Sequence, residues 1–159
     1  MALIAMTTAD TLEYVSDLDP AKVWNVPDPG QKPAFTIKPG ATVFKLRALD
    51  VFLKGIIYDN ASGLTRKSDS DEVGIVTRVN QTNVEAVRHG LVGFSNFKNS
   101  KGGDVPFKTA KIFVNGRPYD VVDDETMNAL GIRLIQELAL AIKDISEVKG
   151  DEEKNSVEA

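Results

Sequence analysis

The stretch Asp123–Val148, DDETMNALGIRLIQELALAIKDISEV, decides the fold. Leu130, Leu134, Leu138, Ile142 and Ile145 recur at helical spacing, and Ile135 and Ala139 widen the stripe. A 3.6-residue period places all of them on one face. Asp123 or Asp124 can cap the free N–H groups at the front, Lys143 and Lys149 suit the negative pole near the end, and Gly150 stops the run. The pattern predicts one amphipathic helix ending near Val148. Burying four of its large aliphatic side chains is worth ~1.5–3 kcal/mol each, enough to anchor it firmly.

Such a helix needs an apolar surface to lie on, and the chain upstream supplies strands. In Thr109–Val122, Asn115-Gly116 separates Ile112, Phe113 and Val114 from Tyr119, Val121 and Val122. Asn-Gly tolerates the positive φ of a tight hairpin turn, while Pro118 lacks a donor and predicts an edge strand. Ala34–Ile37 reads as a strand with Phe35 and Ile37 on one face. A Lys38-Pro39-Gly40 turn and a second strand, Thr42–Leu46, follow. Leu49, Phe52, Leu53, Ile56 and Ile57 mark a helix over Ala48–Tyr58, interrupted at Gly55 and stopped by Asp59-Asn60 and Ser62-Gly63. Thr65–Asp71 is a polar loop, and Asp69 with Glu72 has capping-box spacing. Glu72–Val79 fits either a helix or a strand. Thr82 with Glu85 repeats the capping spacing and predicts a short helix, Asn83–His89, closed by Gly90 at the left-handed position after its end. The fold class is α+β: a small mixed domain with short antiparallel strands or a hairpin and a long amphipathic C-terminal helix.

Residues 1–33 read as an extended N-terminal arm, with one or two helical turns possible in Thr8–Leu18. Pro20, Pro27, Pro29, Gly30 and Pro33 break anything longer. Trp24, in the middle of this arm, marks a docking point on its own domain or on a partner. Residues 34–149 form the single domain, and 150–159 a flexible acidic tail. With 159 residues and 42% hydrophobic content, the chain can fill one core. A net charge of −4 argues against a nucleic-acid surface. The absence of cysteine removes thiolate chemistry, disulfides and cysteine-based metal sites. The opening MALIAMTTAD has no basic flank and predicts no signal peptide, and no run is long enough to span a bilayer. Cytoplasmic residence is the default expectation.

The chain offers little chemistry. His89, the single histidine, has no nucleophile or metal-ligand partner at recognisable spacing, and the helix end it occupies would favour its charged form. Asp120, Asp123, Asp124 and Glu125 lack calcium-loop spacing and read as a cap with a solvated turn. Gly90, Gly93, Gly102 and Gly103 follow no phosphate-loop pattern. Lys98, Lys101 and Lys108 allow an anion contact and nothing more specific. Phe94, Phe97, Phe107 and Phe113 read as packing residues or as the lining of a hydrophobic groove. The expectation is a binding protein, not an enzyme, with no cofactor and no metal.

Four segments carry a resemblance: VEAVRHGLVGFSNFKNSKGGDVPF (84–107), VVDDE (121–125), IRLIQELALAIKDIS (132–146) and EEKNS (152–156). With them goes an AFTI strand before VFKLRALD. Together they resemble the tail assembly chaperone-like proteins encoded among the tail morphogenesis genes of tailed bacteriophages. The matching positions are Arg88, Gly90, Leu91, Gly93, Phe94, Asn96, Phe97, Pro106, Phe107, Leu138 and Asn155. The hairpin Lys111–Val122 and the proline-rich arm before Pro33 depart from the pattern. The resemblance implies a non-enzymatic chaperone in the host cytoplasm that binds the tape measure protein during tail growth and is absent from the virion. The alternative is a structural component of the tail or neck (a terminator, connector or minor tail protein) forming an oligomeric ring. The expected partners are the tape measure protein or other tail proteins, with a homo-oligomer possible and neither nucleic acid nor membrane involved. The candidate partner-binding residues are Trp24, Phe52, Ile56, Phe94, Phe97, Phe107, Leu134, Leu138 and Ile142.

Overall fold

A computed structural model describes residues 10–25, 28–63 and 72–147. The elements run β1 (Thr11–Tyr14), β2 (Lys22–Asn25), β3 (Ala34–Ile37), β4 (Val43–Arg47), α1 (Val51–Gly63), α2 (Glu72–Gly90), β5 (Leu91–Ser95), β6 (Thr109–Val114), β7 (Arg117–Val122), α3 (Asp124–Leu130) and α4 (Ile132–Glu147). The fold is mixed α+β with a C-terminal helix, as the sequence pattern requires. The strands form a three-stranded sheet in the order β1-β4-β5 and two separate hairpins, β2–β3 and β6–β7, all antiparallel.

Helix α4 lies at the centre. Leu134, Ile135, Leu138, Ala139 and Ile142 are buried against Phe44, Leu46, Leu53, Ala86 and Val87 of the same core. Helix α2 is its main neighbour, and the two meet most closely where a Cβ on Gly90 would lie 2.6 Å from Ile142 Cδ1. Gly90 does not take a positive φ. Its glycine is therefore demanded by helix-to-helix approach, not by the left-handed cap that the sequence suggested.

Three further local expectations are corrected. The single C-terminal helix is two helices, because Gly131 sits at φ 76° and ψ 159° between Leu130 and Ile132. Only glycine adopts that φ without strain. Asp123 caps α3, accepting from the Thr126 N–H at 2.8 Å. The short helix over Asn83–His89 is the end of a continuous helix beginning at Glu72. Burial of Ala86 and Val87 against α4 stabilises the longer helix and overrides the local capping pattern at Thr82. The predicted helix at Ala48–Tyr58 starts later, at Val51, and runs through Gly55 to Gly63. Asp50 caps it, accepting from the Leu53 N–H at 2.8 Å, while Leu49 just ahead of it is buried in the core. Asp69, the other predicted cap, lies outside the described residues, as do Lys149, Gly150 and the whole segment 150–159.

The arm also differs from expectation. Thr11–Tyr14, within the possible helical turns, is a strand, with Leu12 opposite Leu46 and Tyr14 opposite Phe44. A lone helical turn has no cooperative support, whereas this strand pairs with a buried neighbour. Strand β3 occupies Ala34–Ile37 as read from the sequence, and β4 begins one residue later than predicted, at Val43. The β6–β7 hairpin turns through Asn115 at φ 50° and Gly116 at φ 78°, as Asn-Gly requires. Among the described residues no helix is long and apolar enough to cross a membrane.

Candidate partner-binding surface

The nine residues read from the sequence fall into three structural groups. Leu134, Leu138 and Ile142 are core side chains; the last two are fully enclosed and present nothing to a partner in this conformation, while Leu134 also lines the groove described below. Phe94, Phe97 and Phe107 are half-buried and gather with Phe44 in an edge-to-face cluster. Ring centroids are 5.1 Å apart for Phe94–Phe97, 5.3 Å for Phe94–Phe107 and 5.7 Å for Phe44–Phe97. Ile56 is half-buried on α1. Phe52 and Trp24 remain at the surface. The Arg117 guanidinium stacks 3.8 Å from the Phe52 ring centre, which ties that side chain to the β6–β7 hairpin.

Trp24 belongs to a different neighbourhood. It stands directly across from Phe35 in the β2–β3 hairpin, rings 5.3 Å apart. The Lys22 ammonium lies 4.4 Å from the Phe35 ring, 5.2 Å from Trp24 and 5.4 Å from Tyr14. It donates to Val15 O at 3.1 Å and to Asp17 Oδ1 at 2.6 Å. This buried ammonium is the main tie between the hairpin and the body. The tie continues inward through Glu137 on α4, whose carboxylate accepts from Tyr14 Oη at 2.6 Å, Ser16 Oγ at 2.5 Å and the Asp17 N–H at 2.8 Å. Burial, and then the bond to Glu137, push the Tyr14 phenol well above its usual range.

Between the hairpin root and the α3–α4 junction lies an open groove of about 610 Å³. Leu18, Pro20, Phe44, Phe97, Leu130 and Ile132 give it an apolar lining, with Ser16, Asn96 and Arg133 among its polar groups. Its walls are irregular backbone fixed by specific bonds. Asp19 accepts from the Ala21 N–H at 2.9 Å and the Thr42 N–H at 2.8 Å, which folds the turn before β2 against the start of β4. Thr42 Oγ1 donates to Asn96 O at 2.7 Å, closing the opposite side. The break at Gly131 directs Ile132 and Arg133 to the rim instead of continuing α3. A groove of this size and lining suits two or three apolar side chains from a bound segment.

The groups with possible chemistry are occupied structurally. His89 is 3% exposed, with its ring edge-on to Tyr119 at 5.5 Å and no partner for Nδ1. Burial, followed by the charges of Arg47 and Arg88, holds its pKa below the ordinary histidine value. The helix end does not win the charged form that the sequence suggested. Asp124 pairs with Arg88 at 2.7 Å, and Glu125 with Lys108 at 2.9 Å. Lys98 pairs with Asp104, and Asn99 Oδ1 accepts from the Lys101 and Gly103 N–H groups, so the Lys-Gly loop is pulled into a tight turn. Among the described residues no three His, Asp or Glu side chains are placed to hold a metal ion.

The sequence reading missed Phe35, Leu18 and Ile132. Phe35 and Ile37 alternate on one face, and that pattern was legible. What hid their exposure was the pairing of β3 with β2, since a strand's neighbours are not written in its own residues. Gly131 between Leu130 and Ile132 was the available signal for the groove's second wall. No protein-family model, curated protein or solved structure matches the chain.

Proposed function

We propose that the chain is a non-enzymatic assembly protein, a tail assembly chaperone that holds apolar helical segments of a tape measure protein while a phage tail grows. The observation that carries this reading is the open apolar groove between the hairpin root and the α3–α4 junction, rimmed by Ile132 and Arg133. A helical segment lays its apolar side chains into such a groove. The polar rim keeps the contact releasable, because affinity then rests on a few anchoring side chains and not on a large sealed interface. The resemblance of 84–107 and 132–146 supplies the identity of the client.

Co-expression with a tape measure protein of a tailed phage tests this. The wild-type chain is expected to co-purify with its client and keep it soluble, while Ile132→Asp lowers recovery at least tenfold without unfolding the chain. Mass spectrometry of purified virions is expected to find none of the protein. Stoichiometric copies in the particle would establish the structural alternative instead, a component of the tail or neck.

A further inference from the structure

The tip of the β6–β7 hairpin holds a reactive pair, far from the groove in role and chemistry. Asn115-Gly116 is the single Asn-Gly sequence in the chain. The two residues form the hairpin loop at φ 50° and 78°, both exposed, beyond the last paired residues Val114 and Arg117. Among the described residues nothing bonds the Asn115 side chain, and the Gly116 N–H lies outside the ladder with no backbone acceptor. A Cβ built on Gly116 would meet nothing within 4 Å, so its nitrogen is unshielded.

The other described asparagines are held or screened. Asn99 Oδ1 accepts from the Lys101 and Gly103 N–H groups at 2.9 and 3.0 Å. Asn80, Asn83 and Asn128 lie within helices, where the following N–H is committed to the helical ladder. Asn25 and Asn96 are followed by Val26 and Phe97, whose side chains crowd the next nitrogen.

We propose that Asn115 deamidates in the folded chain, by attack of the Gly116 nitrogen on the Asn115 side-chain amide. Hydroxide removes the Gly116 N–H proton, and the nitrogen bonds to Asn115 Cγ. The Cγ–Nδ2 bond breaks, and the amide nitrogen takes a proton from water and leaves as ammonia, closing a succinimide ring. Water then opens the ring. Cleavage of the bond between Cγ and the Gly116 nitrogen gives aspartate; cleavage of the original main-chain bond gives isoaspartate. The sum consumes water, releases ammonia and involves no oxidant. Ring closure rotates the Asn115 backbone away from its turn conformation, so the fully paired hairpin slows it. Freeing the loop disturbs only the Val114–Arg117 end of the ladder, a local opening well below global unfolding in cost.

The two products act differently on the hairpin. Asp-Gly keeps the same turn. Isoaspartate inserts an extra carbon into the main chain of a two-residue loop and loosens its fit to the strands. Either makes the chain one unit more negative than its present −4. The new charge stands two residues from Arg117, whose guanidinium lies 3.8 Å from the Phe52 ring centre.

Incubation of the purified full chain at mildly alkaline pH, followed by anion exchange and tryptic mass mapping, tests the assignment. An acidic species is expected to grow with time and faster at higher pH. The gain of one mass unit is expected at Asn115 in the peptide Ile112–Arg133, and fragment ions separate it from Asn128 in the same peptide. Asn115→Gln, which would have to close a larger ring, is expected to slow the acidic species at least tenfold. Circular dichroism of the incubated sample checks that the chain stays folded. An Asn115 that remains intact in the folded chain while the chain in urea converts would overturn the proposal. So would earlier conversion at another of the described asparagines, or an acidic species that forms equally fast in Asn115→Gln. The reaction needs no partner, so its failure leaves the client reading standing.

Discussion

The two hairpins of this molecule are alike in secondary structure and unlike in how they meet the rest of the chain. In β6–β7, Val121 and Val122 are buried, and Tyr119 packs edge-on to His89. The ribbon is also bound down by its backbone: Arg88 donates to Val122 O, Arg47 to Asp120 O, and the Lys108 N–H at its root to Thr126 Oγ1 of α3. In β2–β3 every residue of the returning strand is exposed, and the ribbon is held mainly through Lys22. One hairpin closes the core. The other spends its aromatic rings on the surface, where they stabilise the monomer little and are available for association. An aromatic pair carries ~0.5–1.5 kcal/mol beyond its buried area, too little to account for the placement of Trp24 and Phe35 by stability alone.

The contrast can be broken first at the core that β6–β7 closes. Leu138→Asp places an unpaired charge among Phe44, Leu46, Val87 and Ile142, at a cost on the order of 4–5 kcal/mol or more, and the chain is expected not to fold. A cooperative melt at the wild-type temperature would refute the described core. Glu137→Ala comes next. It removes the acceptor shared by Tyr14, Ser16 and Asp17, at an expected cost of about 2–3 kcal/mol in urea unfolding. Because those residues also hold Lys22, hydrogen exchange should accelerate in β2 and β3 more than in β6 and β7. Equal acceleration in both hairpins would contradict the proposed tie.

A smaller effect separates the hairpins by pH. His89 faces Arg47 and Arg88 along with the carboxylates of Asp50 and Glu85, and its folded pKa is depressed. The unfolded chain therefore takes up the proton first as pH falls below about 6.5, and stability declines from there toward the lower folded pKa. Melting temperature should fall between about pH 7.5 and about pH 5.5, and His89→Gln should lose that component of the slope. The Asp123 carboxyl, held low by Thr126, adds its own loss only below the ordinary carboxylate range and does not confuse the window. Loss of exchange protection on acidification, taken relative to the intrinsic rate at each pH, belongs in β7, beside Tyr119, and not in β2–β3. Smallest of all, Trp24→Ala or Phe35→Ala in dilute monomer should cost less than about 1.5 kcal/mol, a shift of a few degrees in melting temperature.

How much of this was legible in the sequence divides along the same line. The inward set of α4, the Asn115-Gly116 turn and the strand at Ala34–Ile37 follow from period and turn chemistry, both local properties. The continuity of α2, the close approach at Gly90 and the pairing of β1 with β4 depend on partners distant in the chain, which no local pattern names. The candidate site suffered most. An apolar stripe announces burial without saying where, so Leu138 and Ile142 read as a docking face although the core encloses them, while Leu134 of the same stripe reaches the groove. Beside Phe44, Leu130 and Leu134 from regular elements, the groove is shaped by a turn at Ser16–Ala21, a positive-φ residue at Asn96 and a break at Gly131, irregular backbone that carries almost no periodic signal.

The most direct test of the account is calorimetric titration of the purified chain with a synthetic amphipathic helix from a tape measure protein. The account predicts saturable one-to-one binding that Ile132→Asp abolishes without changing the melt of the chain. An absence of binding, or binding indifferent to Ile132→Asp, would contradict the claim that the groove holds a client segment.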